Sequence, residues 1–322
     1  MKNILVTGGA GYVGSQISTF LASNGFNVTV YDNLIFDQSY ILKYLNSFGC
    51  EFINDDISNF NSHIAKLQNI DAVIHLAAIV GDPATKLQPE ITRTTNIKST
   101  IDMINSIENS DISNFIFFST CSNYGKMSNQ NVLLTEESEL KPLSLYAESK
   151  VYIEKYLMES NIETPFTILR MSTVFGLSDR MRFDLTVNHF TAELYKNKKI
   201  EVYEPDTWRP YIYVKDIPYA LSYILQNIEN FKNDVFNIGN NKNNCTKRMI
   251  VDQIIRHLDF EPEVIFKQTN SNDPRDYKVS FNKIQNLGLN CNTKVQEGII
   301  ELIDNFKLNK YLDWNSPKYR NN

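Results

Sequence analysis

Cysteine is scarce in this sequence. Four residues, Cys50, Cys121, Cys245 and Cys291, are scattered through 322 positions without C-x-x-C spacing. Such a set offers no disulfide framework and no zinc site, and reads as free thiols in a reducing cytosol. The four histidines show no ligand spacing either, so no metal is expected. Basic charge is not in excess. Lys and Arg number 32 against 37 Asp and Glu, a net charge of -5, which gives no electrostatic reason to expect nucleic acid as a partner. Apolar runs of membrane-spanning length are missing, so no membrane partner is expected. The first apolar run follows Met1-Lys2-Asn3 directly, so no signal peptide is expected and the expected location is cytoplasmic. No internal repeat is visible, and the Asn- and Lys-rich stretches read as compositional bias in loops.

What is present begins near the start, where Ile4 to Ser15 reads ILVTGGAGYVGS. Ile4, Leu5 and Val6 form the short apolar run of a buried parallel strand. Gly8, Gly11 and Gly14 follow at intervals of three, and a helical pattern starts at Tyr12 and Val13. A strand that turns into a helix through glycines sets backbone N–H groups and a helix N-terminus beside a diphosphate, where side chains would block the approach. A second apolar run, Val28 to Tyr31, ends in Asp32, eighteen residues after Gly14. An acid at that place holds the adenosine ribose hydroxyls and repels a 2′-phosphate, which favours NAD over NADP.

The rest of the first half alternates strands and helices. Strands are predicted over 3–7, 27–31, 50–53, 72–76, 114–119 and 165–170. Helices are predicted over 12–24, 59–67, 87–109 and 146–160. This alternation predicts an α/β fold, a Rossmann-type doubly wound parallel sheet with helices on both faces. Asp56 and Ile57, after the third strand, are candidates to read the adenine ring. Ala77 and Ala78, after the fourth, are small enough for a flat cofactor to lie against the backbone. His75 reads as a core or strand-end histidine.

The chemistry-bearing segment comes next. Phe115 to Phe118 ends in Ser119-Thr120-Cys121-Ser122-Asn123-Tyr124-Gly125, and Tyr146-Ala-Glu-Ser-Lys150 opens a helix. Tyr146 and Lys150, four apart, share one helix face. A lysine ammonium beside a phenol stabilises the phenolate and lowers its pKa. The tyrosine can then take a proton from a sugar hydroxyl while hydride leaves the same carbon for a nicotinamide. Thr120 can hydrogen-bond the reacting oxygen.

Together with TGGAGYVG at 7–14, Asp32, HLAA at 75–78, TTNIKST at 94–100, RPYIYVKD at 209–216, FNIG at 236–239 and DPRDY at 273–277, these segments resemble the extended short-chain dehydrogenase/reductases that act on nucleotide sugars, the NAD-dependent epimerase/dehydratase group. The resemblance implies NAD as cofactor and a nucleotide-diphosphate sugar as substrate. It implies Thr120, Tyr146 and Lys150 as the catalytic residues. Residue reading and resemblance together give the cofactor-binding set as Gly8, Gly11, Tyr12, Val13, Asp32, Asn33, Asp56, Ile57, Leu76, Ala77, Ala78, Asn96, Tyr146 and Lys150. Arg209 and Arg275 match positions that contact the nucleotide part of the substrate, where a planar guanidinium can give a diphosphate two parallel hydrogen bonds.

Departures narrow the reaction. The 4,6-dehydratases carry Asp-Glu directly after the catalytic threonine, and here those places hold Cys121 and Ser122, which disfavours dehydration. Thr173 stands where many members have an asparagine that contacts the substrate phosphate. Arg180 to Asn188 resembles a subset that includes GDP-heptose C4-dehydrogenases, and Arg180, Arg182 and Asn188 are substrate-binding candidates, or else the solvated start of a helix.

The resemblance implies a division into an NAD-binding domain, 1–177 with 213–240, and a nucleotide-sugar domain, 178–212 with 241–322. Strands at 211–214 and 235–238 are predicted to return to the main sheet, and the polar segment after Asp313 to fray. The expected function is oxidation of C4 of a nucleotide sugar by hydride transfer to NAD, as a 4-epimerase or a C4-dehydrogenase. A 4-keto-sugar reductase and a non-catalytic NAD-binding regulator are the alternatives. A homodimer formed through the helices at 87–109 and 146–160 is the family-based expectation.

Overall fold

The computed structural model describes residues 2–67, 69–108, 110, 112–268 and 275–321. Asp273 and Pro274 of the DPRDY motif lie outside the described residues. Twelve strands are described: β1 (Asn3–Thr7), β2 (Asn27–Tyr31), β3 (Glu51–Ile53), β4 (Ala72–His75), β5 (Asn114–Thr120), β6 (Phe166–Met171), β7 (Thr173–Phe175), β8 (Lys199–Tyr203), β9 (Trp208–Tyr213), β10 (Asp234–Ile238), β11 (Asn244–Thr246) and β12 (Glu263–Lys267). Seven of them form a parallel sheet in the order β10-β6-β5-β4-β1-β2-β3. The order reverses on either side of β1, and such a switch point leaves a crevice at the carboxyl ends of the strands.

The central strands are buried on both faces, as their composition requires. Every residue of β4, β5 and β6 is buried. One cluster around Ile4, Val6, Ile74 and Ile116 packs against the helices Tyr12–Ser23 and Asp216–Gln226. A second, around Leu5, Val73, Phe115 and Phe117, packs against the helices Thr100–Ile107 and Leu145–Glu159. Apolar side chains on alternate faces of each strand thus supply both layers.

Four expectations are corrected. The strand predicted at 211–214 is β9, and it pairs with β7 and β11 in a separate three-stranded sheet. Only β10 returns to the main sheet, beside β6. The helix predicted over 87–109 breaks into Pro89–Arg93, a π-helical turn Thr94–Ser99, and Thr100–Ile107. The extra residue of the π turn goes with a side-chain bond, as Thr100 Oγ1 donates to the carbonyl of Thr95 at 3.3 Å. Residue 109 itself lies outside the described residues. The helix predicted over 59–67 is a 3₁₀ segment, Ile57–Lys66, whose first turn Asp56 caps by accepting from Ser58 N at 2.9 Å. The segment after Asp313 does not fray. Trp314 and Asn321 are buried, and Trp314 joins an aromatic cluster with Phe183, Phe306 and Tyr319.

Candidate active site

A cavity of about 410 Å³ opens at the carboxyl ends of the main-sheet strands. Its first wall is the turn after β1. Gly8 has φ 70°, and a Cβ there would stand 2.8 Å from the backbone N of Ala77. A Cβ at Gly14 would stand 2.1 Å from the carbonyl oxygen of Gly8. The turn and the helix Tyr12–Ser23 therefore fit together only as glycine, and the helix N-terminus is set at the cavity wall. Asp32, at the end of β2, is buried and fixed by the N–H groups of Ala10 at 3.0 Å and Leu34 at 2.9 Å, and by Gln38 Nε2 at 3.3 Å. Burial raises its pKa, against the pull of those donors. Asn33 Nδ2 donates to Asp56 Oδ2 at 2.7 Å, joining the ends of β2 and β3.

The middle of the cavity is lined by Leu76, Ala77 and Ala78. The loop after them is held by Asn96, whose Oδ1 accepts from Ile79 N at 2.8 Å and whose Nδ2 donates to Ile79 O at 2.9 Å and Ser149 Oγ at 3.3 Å. The π turn presents this buried amide to both neighbours. Asn96 does not line the cavity; it ties the wall to the helix Leu145–Glu159.

That helix starts at Ser144, whose hydroxyl accepts from Ala147 N at 3.3 Å. It carries Tyr146, half-buried on the cavity wall, and Lys150, buried one turn on. The Lys150 ammonium lies 4.6 Å from the centroid of the Phe117 ring. Burial pulls its pKa down to about 7, and the Glu154 carboxylate one turn further on opposes this. Thr120, at the end of β5, lines the cavity and accepts from Ser122 N at 3.1 Å. His75 is a core residue: it bonds Thr7 Oγ1 at 2.7 Å and Thr100 Oγ1 at 3.1 Å, and its ring stacks near Phe115 and Phe117. Burial holds its pKa well below the usual value.

The far wall holds Thr173, Arg180, Arg182, Arg209 and Arg275. Arg209 donates to the carbonyls of Trp208, at 2.8 Å, and Arg275. Arg275 Nη1 donates to Ser122 Oγ, another wall residue, at 3.3 Å. Arg182 grips Asp184 with two bonds of 3.0 and 2.6 Å. Asn188 is not brought to this wall, nor is it at a solvated helix start. It is fully buried, donates to Tyr12 OH at 3.1 Å and Arg182 O at 2.9 Å, and accepts from Gly176 N at 2.8 Å.

All the sequence-predicted site residues except Asn96 and Asn188 line this one cavity. Tyr211, Lys247 and Asn321 are among the wall residues that escaped the sequence reading. Tyr211 sits inside a motif that was otherwise read. Lys247 follows the capping Thr246, which marks a helix start but no ligand. Asn321 falls in the segment expected to fray.

The family model described as the NAD dependent epimerase/dehydratase family matches residues 4–239. This chain belongs to that family. Among solved structures, the epimerase-family chain is similar to a UDP-glucose 4-epimerase with UDP-glucose from Thermotoga maritima, with TM-score 0.82 and 27% identity over 95% of this chain and 99% of that one. It is also similar to a UDP-glucuronic acid 4-epimerase from Bacillus cereus in complex with UDP-glucuronic acid and NAD, with TM-score 0.83 and 26% identity over the same shares. A UDP-glucuronate 4-epimerase of Thermodesulfobacterium geofontis is 28% identical over 268 residues, 80% of each chain. Against the 4,6-dehydratase pattern, this family member has Cys121 with its thiol buried beneath the site, 3.2 Å from the carbonyl of Arg170. Burial drives that thiol pKa upward, so it is no acid for an elimination.

Proposed function

We propose that this chain is an NAD-dependent 4-epimerase of a nucleoside diphosphate sugar, of the uridine class named for the 4-epimerases it resembles. One observation carries the reading: the glycine cradle with Asp32 and the pair Tyr146–Lys150 line opposite parts of one cavity. The residues fit a dinucleotide, since the cradle has room only where side chains are missing. In this reading Gly8 and Gly11 leave room for the cofactor diphosphate at the helix N-terminus formed by Tyr12 and Val13, and Asp32 and Asn33 hold the adenosine ribose. Asp56 and Ile57 border the adenine, and Leu76, Ala77 and Ala78 lie along the dinucleotide.

NAD held there would supply the acceptor, and then the donor, of the C4 hydride. The protein handles the proton. Tyr146 takes it from the C4 hydroxyl, and Thr120 hydrogen-bonds the same oxygen. Lys150 is buried, so its ammonium is costly unless an anion sits beside it. The Tyr146 phenolate, the form that can accept the C4 proton, is that anion, and each charge therefore favours the other. Thr173, Arg182, Arg209 and Arg275 bind the nucleotide and sugar from the far wall. A C4-dehydrogenase or a 4-keto-sugar reductase would use the same protein groups.

The division into an NAD domain, 1–177 with 213–240, and a sugar domain, 178–212 with 241–322, follows this assignment of ligands, with β7 and β9 forming the seam. A homodimer is supported by Ile91, Tyr152 and Met158, which are exposed apolar side chains on the helices Pro89–Arg93 and Leu145–Glu159. A cytoplasmic role in supplying sugars for carbohydrate biosynthesis is supported by the four free, buried cysteines.

The test is incubation of the purified protein with UDP-, GDP-, CDP- and dTDP-sugars and NAD, followed by NMR of the sugar and absorbance of NADH. A C4-inverted sugar without net NADH is expected from a UDP-sugar. NADH accumulating with a 4-keto product would replace the epimerase by a dehydrogenase. Turnover left intact in Tyr146→Phe would overturn the assigned base.

A further inference from the structure

Arg180 is among the largest fully buried side chains of the protein, only 1% exposed. Among the described residues no carboxylate pairs with it. Its Nη2 donates to the carbonyl of Arg320 at 3.0 Å, and its Nε has no partner. The nearby acids are already engaged: Asp184 by Arg182, and Asp32 by Ala10, Leu34 and Gln38. The guanidinium carbon lies 5.2 Å from the Phe36 ring centroid. A buried guanidinium without a protein carboxylate beside it is expensive, so the wall at Arg180 is suited to an anion.

Its position tells which anion. The chain from Gly176 to Arg180 crosses the first turns of the helix Tyr12–Ser23. Tyr12 OH donates to Gly176 O at 2.7 Å, Ser178 Oγ donates to Tyr12 O at 2.6 Å, and Gln16 Nε2 donates to Asp179 Oδ2 at 2.6 Å. The segment that carries Arg180 thus crosses the N-terminal turns of that helix, and Arg180 itself lines the cavity within electrostatic reach of Asp32. The arginines Arg209 and Arg275 lie elsewhere on the wall, beside Trp208, Tyr277 and Ser122.

The segment after the helix Val295–Lys307 completes this corner. Asn309 and Tyr311 adopt left-handed conformations, φ 56° and 57°, where the chain turns. Trp314 and Tyr319 then pack edge-on around Phe183, at 6.1 and 5.6 Å between ring centroids. Phe183 N donates to Tyr319 O at 2.9 Å. The next two residues meet the cavity corner: Arg320 through its carbonyl on Arg180, and Asn321 by lining the wall. The Asn321 Oδ1 is buried and has no partner. It is an acceptor waiting for a hydroxyl donor.

We propose that Arg180 and Asn321 are cofactor-binding residues, Arg180 pairing with the diphosphate of the dinucleotide and Asn321 with a ribose hydroxyl beside it, and that the segment Trp314–Asn321 holds both in place so that the cofactor stays bound through turnover. This moves Arg180 from the sugar to the cofactor, and it rests on the NAD reading above. An epimerase needs such retention, because the hydride it removes must be given back from the same bound cofactor.

The experiment uses Arg180→Gln, Asn321→Ala and a chain ending at Tyr319, which keeps the aromatic cluster. NAD carried by each protein as purified is released with acid and assayed. Stripped protein is then titrated with NAD and, separately, with UDP in a calorimeter. The expected result is that Arg180→Gln and the shortened chain bind NAD about tenfold or more weakly, the loss of one charge-assisted contact, with UDP affinity unchanged. Asn321→Ala weakens NAD to a smaller degree in the same sense. A fall in UDP affinity with NAD unchanged returns Arg180 to the sugar and overturns the proposal. Equal affinity of all variants for both ligands overturns it as well, since the corner is then only structural. A parent protein that binds no NAD sinks the NAD reading itself, and this proposal with it.

Discussion

Arg170 holds Glu154 in a buried ion pair, 2.7 Å from Nη2 and 3.1 Å from Nε to the same carboxylate oxygen. The same carboxylate accepts from Ser119 Oγ and from Asn123 Nδ2. Glu154 lies two turns beyond Tyr146, so this pair joins the helix Leu145–Glu159 to β5 and β6 at the depth of the site. A second anchor comes from Arg170 Nη1, which donates to Tyr124 OH at 3.0 Å. Removing one member leaves the other charged and buried. Glu154→Ala is expected to cost about 3–5 kcal/mol of stability, and Glu154→Leu combined with Arg170→Met much less. Denaturant unfolding of the three proteins checks this. Equal losses in the single and double variants would show that the pair itself supplies the stability.

Lys150 gives a pH dependence whose sign is fixed by its burial. In the unfolded chain its ammonium titrates near 10.5, and in the folded protein at about 7. Between those values the unfolded chain holds a proton that the folded chain has lost, so stability rises with pH across this window. Below pH 7 both states are protonated and the burial penalty is present in full. Lys150→Met, stripped of cofactor, is therefore expected to be more stable than the parent by about 1–4 kcal/mol near pH 6, with the gap closing towards pH 10. Turnover should fall by about 10²-fold or more, as expected when the proton-handling pair is broken. Thermal unfolding over pH 6–10 reads the first effect; a gap that is constant or widens with pH would contradict it.

The glycines of the first turn should rank by how closely a Cβ would approach its surroundings. At Gly14 that distance is 2.1 Å, to a carbonyl oxygen of the backbone, which cannot swing aside. At Gly8 it is 2.8 Å, with a left-handed backbone in addition, and at Gly11 it is 3.1 Å with φ -79°. Alanine is expected to cost most at Gly14, about 3 kcal/mol, less at Gly8, and under about 1 kcal/mol at Gly11. Urea unfolding of the three single variants tests the order. Gly11→Ala should still lose NAD affinity, because its methyl group stands on the cofactor side.

These sites differ in how far the sequence announced them. The cradle, Asp32 and the pair Tyr146–Lys150 are legible because each depends on local spacing: a turn, a strand end, one helix face. The main strands are legible because both faces are buried and the apolar runs are unbroken. The partner sheet of β9 was not, since β-branched and aromatic residues at 208–213 suit either sheet, and pairing with β7 is a tertiary choice. The break at Thr94–Ser99 had no glycine or proline to mark it. The docked segment after Asp313 rests on Trp314 and Tyr319 meeting Phe183, more than 130 positions away. Its own composition is polar, and nothing local foretells a contact at that separation.

Asn188 separates a structural role from a ligand role most sharply. Its sequence setting, between two arginines and a helix, suggested the sugar. In the structure its amide is the hub that joins Tyr12 of the first helix, the turn at Gly176 and the carbonyl of Arg182. Tyr12 OH in turn donates to Gly176 O, so the amide and the phenol close a small buried network. Asn188→Ala would strand the Gly176 N–H and the Arg182 carbonyl without partners, at about 1–3 kcal/mol for the network. The expected result is a lower unfolding midpoint with kcat and KM for the sugar within about threefold of the parent at a temperature where both are folded. A large rise in KM at unchanged stability would instead place Asn188 on the substrate, which requires the wall to open in the complex.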